Sequence, residues 1–330
     1  MSVLVGIWMS GSVREHVLPP DLHSQLERVS GAAPRILGED PTDADLQDVE
    51  VLLTGWGVPT ITPETLDRLP ALRAVVHTGG SVRFLTETAW DRDISVSSAA
   101  DANAQPVAEF TLGSILLAGK EAPWTARAYR NRRVFMDREE VVPDSGNNGR
   151  RIGVVGASRI GQRVIDLLRP FDFRVSLYEP YCTQEGADRL GVPLVGDLRE
   201  LAARSDILTV HAPDLPSTRG MISGDVLAAL PDGGVLINTA RGALVDQDAL
   251  TAEILNGRIR ALLDVTEPEV LPKKHLLWDL PGAVITPHLA GATGNEMRRL
   301  GSAALDDLER FITSTPLAGA VSLHLRQTAA

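Results

Sequence analysis

The chain has a single cysteine, Cys182, among its 330 residues. That excludes an intramolecular disulfide framework and a zinc site built from several cysteines, and no set of metal ligands is assigned. No apolar run reaches the roughly 20 residues needed to span a bilayer. No basic leader precedes the first strand-like segment, so a cytoplasmic location is expected. Positive charge is in deficit: 32 Lys and Arg face 43 Asp and Glu, for a net charge of -11. A nucleic-acid partner is therefore not expected, because phosphate binding needs a basic surface. There is no repeat at a fixed period and no low-complexity tract. What is present is ordinary globular sequence, 44% hydrophobic over 330 residues, which suggests two cores and two domains.

The stretch around which the rest is organised is RIGVVGASRIGQRVIDLLRPFDFRVSLYEP, residues 151–180. Arg151–Val155 reads as a buried strand. Gly156-Ala157-Ser158-Arg159-Ile160-Gly161 reads as a tight turn opening a helix, with Ile160, Val164, Leu167 and Leu168 as its apolar stripe. Arg174–Tyr178 is a second strand ending at Glu179. Strand, Gly-rich turn, helix and strand with a terminal acid form a dinucleotide-binding unit, in which free N–H groups at the helix start hold a pyrophosphate. Ser158 stands where the full G-x-G-x-x-G pattern has its middle glycine, and its hydroxyl can donate to a phosphate. Glu179 lies about 18 residues past Gly161, close to the spacing of a ribose-binding acid. Such an acid accepts from the ribose hydroxyls and repels a 2′-phosphate, so NAD is expected rather than NADP.

The remainder alternates strands with helices, which implies parallel sheets covered on both faces. Val3–Trp8, Val51–Thr54, Ala74–His77 and Ile94–Ser97 read as strands, and Thr62-Pro63-Glu64 as a helix start with Thr62 as N-cap. Asp101–Pro106 reads as a short polar connection before an apolar helix over Val107–Gly119. Trp124–Arg133 reads as a basic helix with Trp124 and Tyr129 as contact aromatics. Ile207–Val210 reads as a strand ending at His211-Ala212-Pro213, Val235–Asn238 as one ending in Thr239-Ala240-Arg241-Gly242, Ile259–Val265 as one containing Asp264, and Ala283–Thr286 as the last, ending in Pro287-His288. Ligands of open α/β sheets bind at the carboxyl ends of strands, which gives Glu179, His211, Arg241, Asp264 and His288 a shared location. Thr78-Gly79-Gly80-Ser81 follows a strand. It is either a tight turn or a pair of bare N–H groups for an anion.

Arg241 can pair bidentately with a carboxylate. His288 is a proton donor or acceptor near neutral pH, and Glu269 is its candidate partner. An Arg, a Glu–His pair and a nicotinamide suit hydride transfer at the carbon of a 2-ketoacid or 2-hydroxyacid. Each also has a plainer reading, as surface charge, satisfied polar residue or solvated loop acid.

The chain resembles the D-isomer specific 2-hydroxyacid dehydrogenase family through VAEFTLG (107–113), GVVGASRIG (153–161), HAPDLPSTRGMI (211–222), NTARGALVD (238–246), LDVTEPE (263–269) and TPHLAGAT (286–293). The resemblance implies catalytic roles for Arg241, Glu269 and His288. It implies cofactor contacts at Gly156, Ser158, Arg159, Ile160, Glu179, His211, Ala212, Pro213, Thr218, Thr239, Ala240, Arg241, Asp264 and His288, with Asp264 at the nicotinamide amide. It makes HTGGSV (77–82) the loop that receives the substrate carboxylate, so that Thr78, Gly79 and Gly80 join Arg241 and His288 as substrate-binding residues. The implied fold is α/β with two domains. One is a Rossmann-type doubly wound parallel sheet for NAD over residues 102–290. The other is a smaller flavodoxin-like α/β substrate domain from residues 1–101 and 291–330, with hinges at the crossings. The Val107–Gly119 helix fits the family's dimer contact, so a homodimer is expected, with a small 2-ketoacid or 2-hydroxyacid as the other partner. Ser158, and VSSAADAN at 96–103, depart from the family's pattern. Two alternatives stay open: an NAD(H)-sensing, corepressor-like interaction protein and a phosphite dehydrogenase-like enzyme. Formate enzymes of the family carry Gln where Glu269 stands and are disfavoured.

Overall fold

Two parallel sheets organise the chain, and each forms the centre of its own unit. The computed structural model describes residues 2–326. One unit comprises the residues up to 104 together with those from 292 on; the other comprises residues 105–291.

The first unit holds β1 (Val5–Trp8), β2 (Arg35–Ile36), β3 (Val51–Thr54), β4 (Ala74–His77) and β5 (Ser95–Ser98), in the spatial order β2-β1-β3-β4-β5. All pairings are parallel, and this is the flavodoxin-like order. β1, β3 and β4 are buried along their whole length, as strands covered on both faces must be. One face packs on the Pro20–Ser30 and Met297–Ile312 helices through Leu22, Leu26, Leu300, Leu305 and Leu308. The other is closed by Leu46, Ile61, Leu66, Leu85 and Ala89. Trp8, Thr54, His77 and Ser98 stand in one register row. The residues one step beyond that row, Met9, Gly55 and Thr78, therefore gather at the carboxyl edge.

The second unit holds β6 (Arg151–Val155), β7 (Arg174–Tyr178), β8 (Ile207–Val210), β9 (Val235–Asn238), β10 (Arg260–Leu263) and β11 (Ala283–Ile285), in the order β11-β10-β9-β8-β6-β7. Beyond β7 a single parallel bridge, Leu177 to Leu194, stands where a doubly wound nucleotide sheet has its third strand. The strand order reverses between β6 and β8, which is the topological switch point where such sheets bind ligands. Register aligns Tyr178, Val155, Val210, Asn238, Leu263 and Ile285 in one row. One step past it come Glu179, Gly156, His211, Thr239, Asp264 and Thr286. The sheet thus delivers residues scattered over more than a hundred positions to one edge.

Some local expectations change. Asp101–Pro106 is not a connection: it forms the start of a helix running Ala100–Gly119. Asn103 N–H already donates to the Ala99 carbonyl at 2.9 Å, and Pro106 removes only one bond from a helix of 20 residues. Of the two contact aromatics, Trp124 makes its contact inside its own unit. It is 8% exposed and donates from Nε1 to the Gly282 carbonyl at 3.0 Å, whereas Tyr129 is 58% exposed. Thr62 caps its helix as expected, accepting from Thr65 N–H at 3.3 Å.

Candidate active site

The Gly-rich turn is shaped by two close approaches. Gly156 has φ +99, and a Cβ there would lie 2.7 Å from the Ala212 nitrogen at the end of β8. A Cβ on Gly161 would lie 2.0 Å from the Gly156 carbonyl oxygen. Both positions exclude side chains, one through conformation and contact, the other through helix-to-strand packing. Ser158 between them is extended, with φ -61 and ψ 175, so no glycine is required for its conformation. Its hydroxyl accepts from Gly161 N–H at 3.3 Å, making it the N-cap of the Arg159–Leu168 helix. The helix start carries the exposed cation Arg159 and the half-buried Ile160, which adds to the positive end of the dipole.

Glu179 folds back onto this turn. Its Oε2 accepts from Ala157 N–H at 3.0 Å and its Oε1 from Tyr181 N–H at 3.1 Å. The acid at the end of β7 is therefore fixed beside the turn. Across the switch point, His211 is 3% exposed. Its Nε2 lies 2.9 Å from Thr209 Oγ1, and its buried Nδ1 meets no partner among the described residues. Burial alone pushes its pKa down to about 3, so the ring is neutral. Ala212 is buried beside Gly156, and Pro213 opens the loop that follows. Thr218 stitches that loop, donating from its hydroxyl to the Pro213 carbonyl at 2.5 Å and accepting from Leu215 N–H at 2.9 Å.

At the end of β9, Thr239 Oγ1 lies 2.9 Å from Thr111 Oγ1, both buried. Asn238 brackets the next turn: its Oδ1 accepts from Ala240 N–H at 3.0 Å, and its Nδ2 donates to the Arg241 carbonyl at 2.8 Å. This residue was not singled out from the sequence, though a lone amide closing an otherwise apolar strand is a signal. Arg241 is half-buried, and its Nη1 donates to the Ala240 carbonyl at 2.6 Å.

Asp264 organises the loop after β11. Its Oδ1 accepts from Thr286 Oγ1 at 2.5 Å and from Leu289 N–H at 2.7 Å; its Oδ2 accepts from Ala290 N–H at 2.9 Å. The Asp264 carbonyl also accepts from His288 N–H at 3.0 Å. His288 itself has φ +54, a conformation costing about 1–3 kcal/mol in a residue with a side chain, and the Asp264 network holds it there. His288 Nδ1 lies 2.7 Å from Glu269 Oε1. Thr266 steadies the glutamate from below, donating from its hydroxyl to the carbonyls of Pro268 and Glu269 at 2.8 and 3.0 Å. The His288 and Glu269 side chains keep 47% and 58% exposure, and Nε2 is the ring nitrogen that Glu269 does not engage. A small hollow at this sheet edge is lined by Phe110, Ser114, Thr239, Asp264 and Thr286 among others.

In the first unit, Thr78 gives both its N–H and its hydroxyl to the Thr54 carbonyl, at 2.8 and 3.0 Å. Among the described residues no protein acceptor meets the N–H groups of Gly79 and Gly80. Any anion held by this turn is therefore offered the two glycine amides rather than that of Thr78. Among the described residues no group of three or more His, Cys, Asp and Glu is arranged for a metal, and no helix is long and apolar enough to cross a membrane.

Residues 112–290 match the model of the D-isomer specific 2-hydroxyacid dehydrogenase NAD binding domain. The chain belongs to this family. It is 31% identical over 273 residues to D-3-phosphoglycerate dehydrogenase of Methanocaldococcus jannaschii, covering 81% of this chain and 50% of that protein. It is 30% identical over 286 residues to formate dehydrogenase of Candida boidinii, covering 82% and 78%. The crystal structure of the TT0316 protein of Thermus thermophilus superposes with a TM-score of 0.79 at 27% identity, covering 97% of this chain and 100% of that one. The chain spans about half the length of the phosphoglycerate dehydrogenases it matches. Its cofactor is NAD, as the matched domain states. The residues fit: a glycine cradle at a helix start, an acid beside it, and a buried imidazole nitrogen without a protein partner at the switch point.

Proposed function

We propose that this protein is an NAD-dependent oxidoreductase that interconverts a 2-ketoacid and a D-2-hydroxyacid. The observation that carries the reading is the 2.7 Å contact of His288 Nδ1 with Glu269, on the same sheet edge as Arg241, in a domain that binds NAD. When bound, the cofactor supplies or accepts hydride at the substrate's C2. Arg241 binds the carboxylate and polarises the carbonyl. Glu269 orients the His288 ring so that Nε2 gives a proton to the carbonyl oxygen in reduction and takes it back in oxidation. Gly156, Ser158, Arg159 and Ile160 form the pyrophosphate turn. His211, Ala212, Pro213, Thr218, Thr239, Ala240 and Asp264 line the rest of the cofactor's path, and Glu179 selects NAD by binding the ribose hydroxyls. The first unit acts as the substrate domain, with the Gly79 and Gly80 amides receiving the carboxylate and Thr78 holding the turn. The second acts as the cofactor domain.

Glu269 argues against formate as substrate. A homodimer, supported by the exposed apolar side chains Leu117, Tyr129, Val134 and Phe135, and a cytoplasmic location complete the reading. The test is NADH consumption with glyoxylate, hydroxypyruvate, pyruvate, longer and aromatic ketoacids, with the product's configuration determined. Turnover to a D-hydroxyacid is expected. Tight NADH binding with no turnover on any of these would overturn the reading and favour phosphite oxidation or a sensing role.

A further inference from the structure

The segment after the Met297–Ile312 helix returns along the edge of the first unit's sheet. Asp307, 3% exposed, accepts from Ala318 and Gly319 N–H at 2.6 and 3.0 Å and starts the segment on its path. Ser98 N–H donates to the Gly319 carbonyl at 2.9 Å and Val321 N–H to the Val96 carbonyl at 2.8 Å, so the segment runs beside β5. Trp90 Nε1 donates to the Val321 carbonyl at 2.8 Å. These contacts deliver Arg326 to the loop that follows the Thr78–Ser81 turn. Its Nε donates to the Leu85 carbonyl at 2.9 Å, its Nη2 to the Arg83 carbonyl at 3.3 Å, and its Nη1 to Glu87 Oε1 at 3.2 Å. The side chain is only 18% exposed.

The two carbonyls that Arg326 grips flank Phe84. The Phe84 ring packs on the His77 imidazole, with centroids 4.8 Å apart. His77 is 2% exposed, its Nδ1 lies 3.0 Å from Thr54 Oγ1, and a Cβ on Gly79 would fall 2.5 Å from its Nε2. Guanidinium, aromatic ring, imidazole and glycine therefore form one chain of contacts ending at the turn whose amides face no protein acceptor. Arg suits the first link because its planar fork satisfies two carbonyls and a carboxylate at once, which a lysine does not.

We propose that Arg326 is a positioning residue for the substrate turn: by holding the Arg83 and Leu85 carbonyls it keeps Phe84 against His77 and His77 against Gly79, so that the Gly79 and Gly80 amides stay set to receive a carboxylate. This rests on the assignment of that turn to the substrate carboxylate. The test compares Arg326→Ala and Arg326→Lys in the full chain by hydrogen exchange and by steady-state kinetics. Arg326→Ala is expected to speed exchange of the Leu85 and Thr86 amides, and of the 78–81 turn, by about tenfold while leaving the second unit unchanged. It is expected to raise KM for the ketoacid by about tenfold with kcat within about twofold and NADH affinity unchanged. Arg326→Lys should fall between. Faster exchange confined to residues 318–326, with KM unchanged, would overturn the proposal and leave Arg326 as an anchor for its own segment. If the unaltered protein reduces no ketoacid, the functional reading fails; the exchange data then still decide whether the clamp holds the turn.

Discussion

His211 and His288 both stand just past strand ends in the same parallel sheet, yet the structure gives them different surroundings. His211 is 3% exposed and pushed by burial to a pKa of about 3. Among the described residues its ring nitrogens meet only the Thr209 hydroxyl, at 2.9 Å. His288 keeps 47% of its side chain exposed and pairs with Glu269 at 2.7 Å. An imidazole becomes a proton carrier through access and a partner, not through its place on the sheet edge. The buried ring is instead a fixed neutral group beside the Gly-rich turn.

The sharpest way to break this comparison is to remove each ring. His288→Ala should lower kcat for ketoacid reduction by about 10²–10⁴-fold, the range of a general acid–base group, with NADH affinity retained. A comparable loss of turnover in His211→Asn, with NADH binding intact, would contradict the division of roles. Next in size is Asp264→Asn. An amide cannot accept from all three donors that the carboxylate holds, so the His288 turn loosens and kcat is expected to fall about 10²-fold with a lower Tm. If NADH affinity falls instead and kcat does not, Asp264 acts on the cofactor rather than on the turn. Glu269→Gln keeps the shape but removes the charge, and a loss of about 10-fold in kcat is expected; unchanged rates would remove Glu269 from the account.

The smallest effect concerns stability. A histidine kept neutral by burial binds its proton in the unfolded chain near pH 6.5 but in the folded chain only near pH 3. Between those values the unfolded state holds more protons, so stability is full above about 6.5 and declines as pH falls toward 3. His77, also pushed down to about 3 by burial, adds to the same window in the first unit. His211→Asn should therefore show a shallower fall in Tm on acidification than the unaltered protein. An equally steep fall would show that other groups dominate.

Much of this was legible in the sequence, because strand ends, glycines and charged residues sit in local patterns. The turn at Gly156–Gly161, the acid at 179 and the Arg, Glu and His positions could be read within windows of a few residues. What escaped was long-range or ambiguous locally. Asp264 spends its carboxylate on residues 286–290, a contact that spacing cannot reveal. Ser158 reads as a lost glycine but works as a helix cap, since its extended conformation suits any side chain. The polar start of the Ala100–Gly119 helix carries Pro106 and reads as a loop, because composition does not register that one missing bond is minor in a long helix. Trp124 reads as a contact aromatic on a basic helix, and the Gly282 carbonyl, 158 residues away, shows that its contact is internal. The contacts of Arg326, more than 200 residues from their partners in sequence, had no local signal at all.

The central claim is that His288 and Glu269 work as one unit on the substrate's proton. A double-mutant cycle tests it: kcat for ketoacid reduction in the unaltered protein, His288→Ala, Glu269→Gln and the pair together. Groups acting as a unit are strongly non-additive, so Glu269→Gln is predicted to cost nothing further once His288 is gone. An undiminished loss of about 10-fold from Glu269→Gln in the His288→Ala background would contradict the claim and give Glu269 a role of its own.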